Sequence, residues 1–420
     1  MFDILKTAAG MKLSALLCFT ALCVFFPPVD SAGSSTVAAA IDKAEYITVD
    51  EISPGQEAYC LTVLKGSKVE KFALEVLSVV HNIRPGRDAI IVVGTDERFK
   101  HTGPIRGCSG SPVYIEGRLA GALSAGWSYS KDALYQVTPI EDMLRVGPTS
   151  NTQALSSADR FASLGLDFSA PLDLADINSR LTTAYPNSKL KTQNPVLSGA
   201  EGSELLITSL PAEVCDQVAP WFEPLGLMPV AGGSANSELT TQDSELTFEP
   251  GACLAIPLVS GDIAMAVIGT ATEIVDNKVF AFGHGFLGYG DVDLPMSSGR
   301  VHTVASNMLI SFKLATAGPI IGAIRADGAT AVYGEIGAKA KLIPMRITID
   351  HFSAHGHPKT YDCEVAVNRI YTPLVTQTAL IGAIASAGTL PPEHTVRYLS
   401  LIHISEPTRP LYISYAVFCL

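Results

Sequence analysis

Two stretches of this chain are cut into short β-rich runs by glycine, proline and aspartate, and that punctuation points to antiparallel sheet rather than helix. The first, from Ile47 to about Leu144, contains YCLTVLKG, KFALEVLSVV, DAIIVVGT, SPVYIEG and RLAGALSAG. Glu116-Gly117, between the last two, is the clearest hairpin turn signal. The second, from Pro250 to about Ile349, contains CLAIPLVSG, IAMAVIGTATEIV, KVFAFGHGF, ATAVYGEIG and KLIPMRITI. No repeat of fixed period relates the two blocks. Thr138-Pro139-Ile140-Glu141 supplies an N-cap, a proline at the first helical position and a glutamate three residues after the cap, which predicts a short helix. The segment between the blocks mixes Ser/Thr/Asn-rich stretches with the apolar pieces SELLITSL and VAPWFEPLGLMPV. It reads as a connector holding a small α/β element.

The 420 residues are 47% hydrophobic and only 17% charged, so the chain is globular, with material for two or three domains. Its formal net charge is -12, and no basic cluster with interleaved aromatics is present, which argues against nucleic acid as a partner. At the N-terminus Lys6 and Lys12 precede LSALLCFTALCVFF, followed by Pro27-Pro28 and small residues. This is the order of a secretory signal peptide over residues 1–33, and it predicts an exported protein with no stable membrane span after cleavage. Cys18 and Cys23 follow leucines rather than small residues, against a lipid anchor. Residues 399–420 back-translate into sequencing-adapter DNA, Leu399–Arg409 and Ile413–Leu420 being its two pieces, and are set aside from fold reasoning. The expected organisation is a β half over 41–147, the connector over 148–248, a second β half over 249–350, and the start of a C-terminal region over 351–398.

One short motif carries chemistry. In Gly107-Cys108-Ser109-Gly110-Ser111-Pro112 a serine between glycines can occupy the apex of a tight turn, with its hydroxyl exposed and backbone amides converging beside it. Ser109 is the candidate nucleophile, and the amides of Gly107, Cys108 and Ser109 are the candidate oxyanion hole. A base must come from elsewhere in the chain. His284, between glycines after an apolar strand and shortly before Asp291 and Asp293, reads either as that base or as a buried structural histidine. His351, His355 and His357 form an HxxxHxH cluster with neither a general-base glutamate nor a further ligand context, so a solvated loop is favoured over a metal site. No cofactor is expected. Cys60, Cys108, Cys215, Cys253 and Cys363 show no CxxC spacing, and Cys108 reads as a packed small hydrophobe.

GCSGSPVYIEGRLAGALS, with VEKFALEVLSV and TDERFKHTGPIRG before it and VTPIEDML after it, resembles the SpoIVB-type serine peptidases, relatives of the chymotrypsin-like barrels. The resemblance implies a mainly β fold of two chymotrypsin-like barrel halves, and an exported bacterial endopeptidase acting on protein or peptide substrates. By it Ser109 is the nucleophile, Asp96 is an implicated acid, and FAFGHGFLGYGDVDLP makes His284 the base, with Asp291 or Asp293 as alternative orienting acids. Ser124-Ala125-Gly126-Trp127 resembles the strand that lines the specificity pocket, although Trp127 reads equally well as packing. Here Ser109 precedes His284, whereas the sporulation members place the histidine half first, and no PDZ-like module is recognisable. The competing expectation is a non-catalytic secreted binding or envelope-scaffold protein that retains the peptidase fold.

Overall fold

A computed structural model of the chain describes residues 42, 44–148, 204–233, 248–286, 290–350, 358–386, 395–400 and 414–419. The expected signal peptide, much of the connector and the HxxxHxH cluster lie outside them.

The first block folds into seven strands: β1 (Glu57–Thr62), β2 (Glu70–Arg84), β3 (Arg87–Gly94), β4 (Ile105–Arg106), β5 (Pro112–Ile115), β6 (Arg118–Gly126) and β7 (Leu134–Pro139). All but the two-residue β4 close into a six-stranded barrel in the order β1-β2-β3-β7-β6-β5. Alternation drives the closure: Ala58, Cys60 and Thr62 of β1, and Phe72, Leu74 and Val76 of β2, point inward every second residue. Burying each large apolar side chain contributes about 1.5–3 kcal/mol. Glu116 and Gly117 both take left-handed conformations, with φ of 53° and 79°, which is the two-residue turn whose twist suits a β5–β6 hairpin.

Helix α1 (Glu97–Thr102) follows β3 and sends Phe99 into the barrel, where its ring stacks on Phe72 at 5.1 Å. The helix predicted from Thr138-Pro139 is α2 (Ile140–Leu144), begun by Pro139 as N-cap rather than by Thr138. The Thr138 hydroxyl is engaged elsewhere, as described below.

The second body runs through β8 (Glu204–Thr208), α3 (Ala212–Phe222), β9 (Leu227–Ala231), β10 (Cys253–Gly261), β11 (Met265–Val275), β12 (Lys278–Ala281), β13 (Gly290–Ala305), β14 (Ser311–Asp327), β15 (Val332–Ile336), β16 (Leu342–Ile349), β17 (Lys359–Ala366) and α4 (Tyr371–Ser386). Its sheet follows the path β16-β17-β10-β13-β14-β15-β12-β11-β8-β9, and β10 also pairs with β11. That extra pairing closes a ring of six antiparallel strands, β10-β11-β12-β15-β14-β13. The first three strands run consecutively and the last three return in reverse, the same winding as in the first barrel. Outside the ring, β8 and β9 pair in parallel with α3 between them in the chain, and β8 docks on β11. Helix α4 buries Tyr371, Leu374, Val375, Thr378, Ala379, Gly382 and Ala383, spaced as one helical face.

The five described cysteines outside the terminal ribbon are buried free thiols. That ribbon, β18 (Thr395–Ser400) and β19 (Ser414–Cys419), forms a separate two-stranded sheet. No described helix is long and apolar enough to cross a membrane.

Candidate active site

Ser109 sits between β4 and β5 on a turn made tight by Gly107 and Gly110, whose φ values of 89° and 94° favour glycine. The Cys108 amide donates to the Ile105 carbonyl at 3.2 Å, and the Ser111 amide to the Cys108 carbonyl at 2.9 Å. The expectation that the Cys108 N–H belongs to an oxyanion hole is therefore corrected, because that donor is consumed in closing the turn. Gly107 and Ser109 are the remaining candidate donors. The Cys108 side chain is fully buried in the barrel core.

The second ring grips this turn from the other side. The Thr270 amide of β11 donates to the Ser109 carbonyl at 2.8 Å, the Thr270 hydroxyl to the Gly107 carbonyl at 2.9 Å, and the Thr272 hydroxyl to the Gly110 carbonyl at 2.7 Å. A Cβ on Gly110 would lie 2.0 Å from the Thr270 carbonyl oxygen and 2.5 Å from the Phe282 nitrogen. Only glycine permits this approach. Beside it, β4 pairs in parallel with the start of β14, Ile105 opposite Ser311 and Arg106 opposite Phe312.

His284 follows β12, on a loop turned by two successive left-handed residues, Phe282 (φ 68°) and Gly283 (φ 69°). The Gly283 carbonyl accepts the Thr138 hydroxyl at 2.6 Å, which is where the predicted helix cap went. A Cβ on Gly283 would sit 3.1 Å from the Leu123 carbonyl oxygen, and the Gly110 amide donates to that same oxygen at 2.7 Å. The neighbours of Ser109 and of His284 thus meet on one carbonyl of β6.

His284 is half-buried, edge-on to the Phe282 ring at 6.0 Å. Its Nδ1 lies 3.0 Å from the Gly285 carbonyl. A carbonyl only accepts, so this bond puts the proton on Nδ1 and the lone pair on Nε2, the arrangement a base needs. Among the described residues no hydrogen bond joins Ser109 to His284 directly; such bonds are often long before substrate binds.

The expected acids are placed differently. Asp96 is the N-cap of α1, accepting the Arg98 amide at 2.9 Å and the Arg98 Nε at 3.3 Å. Asp293 pairs with the Arg325 guanidinium and accepts the Lys341 amide at 3.1 Å. Asp291 is exposed at the start of β13. None of these contacts is to His284. The acid at the His284 loop is Asp327, which sequence reasoning missed: it is 2% exposed and accepts the Phe286 amide at 2.6 Å. Its signal was weak, an aspartate in ADG at a hairpin turn, where the residue usually serves the turn itself.

Ser124 and Gly126 lie on β6 where the specificity-pocket strand was expected; the Ser124 hydroxyl donates to the Gln136 carbonyl at 3.2 Å, and Gly126 abuts Pro104. Among the described residues no group of three His, Cys, Asp or Glu side chains is placed to hold a metal ion.

Residues 32–144 match the family described as SpoIVB peptidase S55. That segment is similar to the SpoIVB-type serine peptidases. It spans the first barrel, Asp96 and the Ser109 turn, while His284 lies beyond it. No curated protein and no solved structure matches the chain significantly. The peptidase match supports serine peptidase activity in general and a protein substrate.

Proposed function

We propose that the protein is an exported serine endopeptidase whose Ser109 hydroxyl attacks a peptide carbonyl, with His284 as its general base. The observation that carries this reading is the meeting of Gly110 and Gly283 on the Leu123 carbonyl, which sets the serine turn of one ring against the histidine loop of the other. The His284 Nε2 takes the serine proton as the Ser109 Oγ bonds to the carbonyl carbon. It then returns that proton to the leaving amine, leaving an acyl-enzyme that water hydrolyses by the same path. The Gly107 and Ser109 amides receive the oxyanion; one such donor is worth about 3–4 kcal/mol.

Asp327 steadies the His284 loop through the Phe286 amide. Asp96, the acid that the resemblance supplies, has its carboxylate engaged at the start of α1.

A fluorophosphonate probe should label the protein, and Ser109→Ala or His284→Ala should abolish labelling without loss of the fold. Equal labelling of all three would overturn the dyad. No labelling of the wild type, with tight binding to peptides, would favour the secreted binding protein instead.

A further inference from the structure

Lys313 of β14 is fully buried directly behind the Ser109 turn. Its Nζ donates to the Thr62 hydroxyl at 2.9 Å and to the Thr270 hydroxyl at 3.2 Å, and no carboxylate is within ion-pair distance of it among the described residues. Its methylenes pass under Gly107, where a glycine Cβ would come within 3.2–3.3 Å of Lys313 Cβ, Cγ and Cδ. An ammonium held by hydroxyls alone is a costly filling for such a site, since a methionine would pack the same volume without the desolvation penalty.

The bonds run in one direction. Lys313 donates to the Thr270 oxygen, which spends its own proton on the Gly107 carbonyl, while the Thr270 amide holds the Ser109 carbonyl. The ammonium therefore decides which way the Thr270 hydroxyl points, and the hydroxyl decides which way the Gly107–Cys108 peptide faces. Were that peptide to flip, the Cys108 amide would leave Ile105 and the turn presenting Ser109 would lose its shape. The cation also stands behind the turn on which negative charge develops, in an interior where charge is weakly screened.

Resting on the reading of Ser109 as the nucleophile, we propose that Lys313 is a positioning residue for the oxyanion turn, acting through Thr270 to hold the Gly107 carbonyl inward and adding a buried positive charge behind it.

The test measures the fluorophosphonate labelling rate alongside the thermal midpoint. Lys313→Met and Thr270→Val should each slow labelling about a hundredfold, the effect of losing one oxyanion-hole contact. Thr270→Ser, which keeps the hydroxyl, should label at close to the wild-type rate. Thr62→Val removes the other Lys313 partner and leaves the relay intact, so it should lower the midpoint while slowing labelling less than threefold. The double variant of Lys313→Met and Thr270→Val should be no slower than Lys313→Met alone, which already cuts the chain of bonds and removes the charge.

Lys313→Met labelling within threefold of wild type, or Thr62→Val slowing as much as Thr270→Val, would overturn the proposal and leave Ser109 as nucleophile. If Lys313→Met does not fold, the Thr270→Val and Thr270→Ser pair decides alone. A wild type that does not label, or a Ser109→Ala that does, overturns the peptidase reading itself.

Discussion

Two glycines with positive φ show how much a single residue's surroundings matter. Gly117, at the tip of the β5–β6 hairpin, has nothing within 4 Å of where a Cβ would stand. Gly117→Ala should therefore cost only the left-handed strain, about 1 kcal/mol, measured by chemical denaturation. Gly110 has the Thr270 carbonyl 2.0 Å away, so Gly110→Ala must push the two rings apart. It should cost more than about 4 kcal/mol and abolish probe labelling.

Burial pushes the Glu273 carboxyl above its ordinary value of 4.5. A carboxyl raised in the folded state contributes most below the unfolded value and loses that contribution as pH rises through the folded one. Glu273→Gln should thus raise the thermal midpoint at neutral pH, with the gain fading as pH falls through the raised folded value and gone once pH is below the ordinary glutamate value.

At the scale of elements, strands and turns were readable because alternation and the Glu116-Gly117 turn are local signals. Caps were not, since a cap competes with whatever the tertiary structure brings near it. Thr138 has the pattern of a helix cap, yet its hydroxyl goes to Gly283 and Pro139 begins α2 instead. Asp96 came with a family role and is occupied as the cap of α1.

A pair of variants separates those two roles. Asp96→Asn keeps a capping oxygen and should leave both stability and labelling rate near wild type, whereas Asp96→Ala should lose about 1 kcal/mol. Large loss of labelling in Asp96→Asn with an unchanged thermal midpoint would instead assign Asp96 as the histidine's acid. Asp327→Asn, by contrast, weakens the bond from Phe286 and should slow labelling at least tenfold.

Over the whole molecule, two rings of the same winding face each other through polar side chains from both. Thr270 and Thr272 reach the serine turn and Thr138 reaches the histidine loop, each across more than a hundred residues of chain. Thr138→Val leaves the Gly283 carbonyl buried without that donor, which should cost about 1–3 kcal/mol and slow probe labelling, seen as a lower thermal midpoint together with a reduced rate.

The sequence by itself determined that this is a chain of antiparallel strands and that one serine stands on a glycine-flanked turn, because alternation, turn chemistry and a specific motif act over a few residues. Only the tertiary structure decided that both blocks wind alike, that Cys108 spends its amide within the turn, that Asp327 holds the histidine loop while Asp96 caps α1, and that Lys313 stands behind Ser109. Each of these depends on which carbonyl, hydroxyl or ammonium meets another once distant strands close, and an apolar alternation that buries a strand equally well in many pairings carries no record of its partner.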